Sequence, residues 1–272
     1  MVTNILKRHL MLIFIAVVAI LGVSRPAMSQ QNTLALSKAF EQDEYIKYKL
    51  VFEWGIIRGK VGEATLSNKK INSGQQYFSQ LIFKTTGVGD AFYSLRDTFE
   101  TLYSNYNKPL RFEKRVTDKG VLYVDEVSFN HSPSVVRASV KSYADRNINV
   151  DTVYTYNPKE IEVIDVLSSL AYVRGLDISN PSGINGRKVM IPIGRSQAVT
   201  DIKYMGMEKV KGVNGKKVDA VIISLNIKDE AFQSQKNSVT VWVSNDELRV
   251  PLKVTANLKV GKVVVEVASY RN

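Results

Sequence analysis

The sequence predicts a mainly β protein: a curved antiparallel sheet or open barrel made of two pseudo-repeated meanders, with one short central helix. Three observations predict it. Apolar and polar residues alternate with period two through most of the chain, as in Tyr48, Leu50, Phe52 and Trp54 against Lys47, Lys49 and Glu53. Turn residues punctuate these runs, among them Asn72-Ser73-Gly74 and Asp118-Lys119-Gly120. Only Asp165 to Gly175 reads as a helix: Asp165 is a candidate N-cap, Val166, Leu167, Leu170, Ala171 and Val173 are apolar, and Arg174 and Gly175 suit the last turn and exit. Two or three turns are unstable alone, so this helix must pack on the sheets that flank it in sequence.

The strands follow in order. After Lys47 to Trp54 the chain turns at Gly55 to Gly59, returns through Lys60 to Lys69, and alternates again over Gln76 to Thr85 with Tyr77, Leu81 and Phe83 on one face. Gly87 to Tyr93 reads as a loop or helical turn. Asp97 to Tyr103, Leu110 to Thr117 and Val121 to Asn130 continue the meander, and Val135 to Tyr143 and Val150 to Tyr156 are weaker strands. Ile178 to Gly186, rich in Ser, Asn, Pro and Gly, is a loop. Strands resume at Arg187 to Ile193, Ala198 to Val210, Lys217 to Ile227, Ser238 to Val243, Leu248 to Asn257 and Lys262 to Tyr270. The expected organisation is a leader over 1–29, a flexible lead-in over 30–42, a first meander over 43–158, the helix and its connecting loop over 159–186, and a second meander over 187–272. The halves are expected to form one compact unit.

The leader is read from Lys7 and Arg8, the apolar run Leu10 to Val23, and Ala27-Met28-Ser29 as a small-x-small cleavage pattern near Ser29. Fourteen apolar residues fall short of the about 20 that cross a bilayer. A periplasmic or secreted location is therefore expected, with contact at a membrane surface but no integral span. The chain has no cysteine, which excludes disulfides, thiolate metal sites, a cysteine nucleophile and a lipid-modified cysteine. Removing Lys7, Arg8 and Arg25 with the leader leaves 34 basic against 26 acidic residues, a balance of +8. Such a balance favours anionic neighbours or serves solubility alone.

The halves echo one another. Leu102-Tyr103-Ser104-Asn105 resembles Trp242-Val243-Ser244-Asn245, Pro109-Leu110-Arg111-Phe112 resembles Pro251-Leu252-Lys253-Val254, and Val124-Asp125-Glu126-Val127 resembles Val264-Val265-Glu266-Val267. Asp90-Ala91-Phe92 likewise matches Glu230-Ala231-Phe232, and the turn at Gly74 matches that at Gly215. Either an internal duplication or the shared chemistry of hairpin turns produces such spacing.

Glu44-x3-Tyr48 with Trp54 and Gly59, Asp165-x2-Ser168-x3-Tyr172-x-Arg174, and Trp242-x3-Asp246-x2-Arg249-x-Pro251 together resemble the domain of unknown function 3108 family. The resemblance spans roughly Asp43 to Tyr270. It implies a β-rich exported protein of a Gram-negative envelope, and it brings no catalytic assignment because the family has no established activity.

No catalytic constellation is visible. His131, beside Ser132 and Pro133, is the sole histidine beyond the leader, and no Gly-x-Ser-x-Gly elbow occurs. One histidine and no cysteine leave only a carboxylate site for a hard cation, and the EF-hand pattern is absent. The carboxylate pairs Asp97 and Glu100, Asp125 and Glu126, and Asp246 and Glu247 suggest no glycosidase, since neighbours on a strand face opposite ways and the last pair sits in a turn. No phosphate loop is present. Aromatics interleaved with lysines, as in Tyr45-Ile46-Lys47-Tyr48-Lys49, fit strand alternation better than nucleic-acid stacking. The expected function is non-catalytic, without cofactor or metal: binding or carrying a lipid-like or acyl ligand in the envelope. Leu50, Phe52 and Trp54 are expected on the concave face, Leu170 and Tyr172 opposite them, and Arg174 paired with an acid near the helix exit. The alternative is a module that docks envelope proteins through its sheet edges and basic surface.

Overall fold

The first and last strands of the chain lie side by side. In the computed structural model, which describes residues 40, 42–87, 89–90, 94–104, 107–118, 120–213, 215–226, 238–259 and 261–272, β1 (Glu44–Trp54) pairs antiparallel with β15 (Lys262–Arg271) at the middle of one 15-stranded sheet. On the other side of β1 run β2 (Ile57–Ile71), β3 (Gln76–Thr85), β4 (Arg96–Ser104), β5 (Pro109–Asp118), β6 (Val121–His131), β7 (Val136–Ala144) and β8 (Asn147–Tyr156), each a hairpin partner of the last. Beyond β15 come β14 (Pro251–Asn257), β13 (Val239–Ser244), β12 (Lys217–Asn226), β11 (Ser196–Lys211), β10 (Arg187–Ile193) and the two-residue β9 (Glu162–Val163), which alone runs parallel to its neighbour. The two meanders therefore share one sheet. The leader and the echo between Ala91-Phe92 and Ala231-Phe232 lie outside the described residues.

Right-handed twist does not let so wide a sheet stay flat, and it rolls until its inner face meets itself. The β10 end lies against β6 and β7. A Cβ built on Gly194, in the β10–β11 turn, comes within 3.6 Å of Asp125 Oδ1 and of Ser142 Oγ. The Tyr154 hydroxyl of β8 donates to the Gly194 carbonyl at 3.4 Å, and Arg195 Nη2 donates to the Asn149 carbonyl at 2.8 Å. Among the described residues no main-chain ladder joins β8 to β9 or β10. The result is a nearly closed barrel with a seam, one edge of which is β8.

The inner faces and α1 (Ser168–Arg174) fill the barrel with one core, in which Ile46, Leu66, Phe99, Phe112, Ile191, Ile202 and Ile223 are fully buried. The expected alternation holds along β1, with Glu44, Ile46, Tyr48, Leu50 and Phe52 on the inner side; a register shift against β2 after Leu50 falls where β2 carries one extra residue, Val61, and Val51 is buried with its β15 partner Val264 outside the inner core. Two of the echoed segments share local geometry: Pro109 and Pro251 each open a strand beyond a register shift, at Leu102/Tyr103 and Trp242/Val243. In both places a missing amide donor is harmless. Among the described residues the meanders differ in extent, since eight antiparallel strands and the short parallel β9 precede α1 and six antiparallel strands follow it.

The β14–β15 turn is packed tightly on β1. Gly261 has φ +81°, and a Cβ there would stand 2.5 Å from the Glu53 carbonyl oxygen and 2.7 Å from the Phe52 ring. Gly261→Ala should cost about 1–3 kcal/mol in urea unfolding. Gly59→Ala, where nothing lies within 4 Å, should stay within about 0.5 kcal/mol.

Candidate functional site

The helix is tied into the barrel at both of its ends. Asp165 Oδ1 accepts from the backbone N–H groups of Leu167 (2.7 Å) and Ser168 (2.9 Å), while Ser168 Oγ accepts from the Asp165 N–H at 3.0 Å. This reciprocal cap satisfies orphan donors of the first turn. Asp165 Oδ2 accepts from the Thr101 hydroxyl of β4 at 2.6 Å. Burial raises the Asp165 pKa, against the pull of these hydrogen bonds. The expected start at Asp165 is thus its capping position, two residues and a turn ahead of the regular helix.

At the other end Arg174 meets Glu44, the first residue of β1, in a two-pronged ion pair: Nη1 donates to Oε1, and Nη2 donates to Oε2 at 2.9 Å. Nη2 also donates to the Leu248 carbonyl at 2.9 Å, and the Phe40 ring lies 4.5 Å from the guanidinium. Burial disfavours the Arg174 charge, but the Glu44 carboxylate outweighs it and the pKa is raised. Glu44 further accepts from Asn68, Asn68 accepts from the Ser79 hydroxyl, and the Ser79 and Tyr103 hydroxyls are 3.1 Å apart. Burial also pushes the Tyr48 and Tyr103 phenols up, so both remain protonated.

Part of the residue pattern noted in the sequence is accounted for by this arrangement. Glu44, Asp165, Ser168 and Arg174 form the ties themselves. Asp246 Oδ1 accepts from the N–H groups of Leu248 and Arg249, both at 3.1 Å, and so shapes the turn whose carbonyl receives Arg174. Trp242 lies on the outer side, with Lys253 Nζ 4.3 Å from its ring and its indole N–H on Glu208.

Of the six residues expected to surround a ligand, Leu50 and Tyr172 belong to the main core, Leu170 packs against it half-buried, and Arg174 belongs to the ion pair. Phe52 is half-buried against the core margin beside Gly261. Trp54 is a correction: it is 47% exposed and does not face the helix. It lies ten residues along β1 from Glu44, roughly 33 Å at strand rise, at the opposite end of the barrel. The void bordered by Phe40, Leu66, Asn68, Ser79, Leu167, Leu170, Ala171 and Arg174 has room for about one water. Side chains, not an acyl chain, occupy this part of the concave face.

A second polar string lines the inner face at the far end. Lys114 Nζ is 3.0 Å from Asp125 Oδ2, and the Ser142 hydroxyl donates to Asp125 Oδ1 at 2.6 Å. Asp97 is fully buried and neither of its carboxyl oxygens has a hydrogen-bond partner. Burial, opposed by Lys114 and reinforced by Asp118, pushes it up to about 7. His131 bonds the Pro109 carbonyl through Nε2 at 2.6 Å, and burial lowers its pKa. No group of three potential metal ligands occurs among the described residues.

The feature left unpaired is the β8 edge. Asn147–Tyr156 carries a single charged residue, Asp151, and no proline or lysine, and it exposes Ile148 (57%) and Val153 (55%). Sequence reasoning expected a weak strand here and could not identify it as an edge, because alternation looks alike in edge and interior strands. The absence of guarding residues was the available signal.

Glu44→Ala should cost about 3–5 kcal/mol in urea unfolding, because it strands the buried Arg174 charge, whereas the paired change Glu44→Met with Arg174→Met should recover most of that loss. Asp97 gives a pH prediction. Below pH about 4 both folded and unfolded chains hold its proton, and between about 4 and 7 only the folded chain does. Stability should therefore fall as pH rises through that window, by up to about 4 kcal/mol. Asp97→Asn should remove this slope in urea titrations at several pH values.

A crystal structure of a β-barrel-like protein of domain of unknown function DUF1849 from Brucella abortus superimposes with a TM-score of 0.53, covering 84% of this chain and 97% of that one at 9% identity. This likeness shows the fold alone. No curated protein matches the chain. Residues 47–268 match the family described as protein of unknown function DUF3108, and the chain belongs to that family.

Proposed function

We propose that the protein is a non-catalytic docking module of the cell envelope, which holds an extended segment of a partner protein along β8. The observation that carries this reading is the unguarded edge. Natural sheets blunt their edges with lysine, proline or a covering element, because a row of free main-chain N–H and C=O groups is a template for another strand. β8 has ten residues and, among the described residues, meets the β10–β11 turn through hydrogen bonds at Tyr154 and Asn149. Main-chain hydrogen bonds would supply affinity, and the exposed Ile148 and Val153 would select apolar residues at alternate positions of the partner.

The envelope assignment is supported by the leader pattern over residues 1–29. The non-catalytic assignment is supported by the use made of the buried ionisable groups: Arg174, Glu44 and Asp165 hold the helix, and Lys114 and Asp125 hold each other. Carrying an acyl ligand inside the barrel would require α1 to withdraw, breaking the Arg174–Glu44 pair and the Asp165–Thr101 bond.

Native mass spectrometry of the protein taken from the periplasm should show a bound polypeptide and no co-purified lipid. Amide exchange in β8 should slow in that complex, and Val153→Lys should weaken it about tenfold while changing folding stability by less than about 0.5 kcal/mol. Protection that falls away from β8, or a lipid adduct in place of the polypeptide, would overturn the reading.

A further inference from the structure

The β1–β2 hairpin ends in an apolar point. Gly55, with φ +56°, and Ile56 make a two-residue turn between Trp54 and Ile57, which are cross-strand partners. Glycine at the first central position suits a hairpin of this kind. The turn itself is unusual in composition, because tips ordinarily carry polar residues. Ile56 is fully exposed, Ile57 is 61% exposed and Trp54 is 47% exposed. Nothing lies within 4 Å of a Cβ built on Gly55, so the point stands clear of the barrel.

Cations surround it. Arg58 and Lys60 follow on β2, and Lys259 and Lys262 flank Gly261 in the neighbouring β14–β15 turn. These four cations meet three acids: Arg58 sits 2.9 Å from Glu53 and 3.7 Å from Glu266, Lys60 sits 2.5 Å from Glu63, and Lys262 sits 3.9 Å from Glu53. The whole chain carries a formal charge of +11.

We infer that this hairpin tip inserts into the interfacial layer of an anionic phospholipid bilayer. Two properties favour a lipid surface over a protein. Three side chains on a convex two-residue turn fall well short of the about 1,000 Å² that a specific protein interface buries. A bilayer asks only that the apolar point pass the headgroups, with the indole at their level and the cations against lipid phosphates. The site is remote from β8 in the sheet order, being seven strands away, and the inference holds whether or not β8 receives a partner.

The test uses the exported protein with Trp242→Phe, so that Trp54 is the sole indole, and vesicles of phosphatidylethanolamine with phosphatidylglycerol or of phosphatidylcholine alone. The protein should float with the anionic vesicles, its emission should shift to the blue, and added salt should weaken both effects. Ile56→Asp and Ile57→Asp should each reduce the bound fraction about tenfold with an unchanged circular dichroism spectrum and melting temperature. Three outcomes would overturn the inference: no flotation at low salt, flotation that Ile56→Asp leaves unchanged with no shift of Trp54 emission, or sedimentation showing a dimer that Ile56→Asp disperses.

Discussion

A seven-residue helix has no stability of its own, and here it lies inside a sheet that could otherwise only collapse on itself. The Arg174–Glu44 pair resolves both problems. It joins the last turn of α1 to the first residue of β1, and the Leu248 carbonyl and the Phe40 ring complete the cation's surroundings. Both charges are almost wholly removed from water, a state that is tolerable only because each is met by a fitted partner. The sheet's curvature, the core and the placement of the helix all presuppose this contact, which links residues 130 positions apart.

Much of this was legible in the sequence. Period-two alternation located most strands, and the apolar stretch after Asp165 located the helix and its cap. Arg174 was expected to meet an acid. Its partner was not legible, because Glu44 lies in a different strand and only the rolled sheet brings it near. Trp54 was misplaced for a related reason: alternation says which way a side chain points along a strand, but not that the strand has outrun the core. The edge at β8 was hidden because edge status belongs to the order of strands, which local sequence does not encode. The family resemblance was borne out by the match over residues 47–268, and four of the residues that carried it, Glu44, Asp165, Ser168 and Arg174, prove to be ties of the fold.

The structure thus separates holding from contacting. Ionisable groups near the helix are committed to one another, and the fold is filled where a ligand had been expected. Among the described residues, apolar side chains that face outward include Ile148 and Val153 along the side at β8 and Trp54, Ile56 and Ile57 at the tip of the first hairpin. A filled barrel is a rigid body, and a rigid body can present a side and an end in fixed relation to each other. That geometry suits a part that positions something else.

The pairing of β1 with β15 has a consequence for the history of the chain. The central strand of the sheet waits for its second neighbour until the last ten residues have been made, so the slowest, most sequence-distant contact is also the one at the centre. The sheet therefore stays incomplete until β15 has been made, and its two arms cannot join at the centre before then.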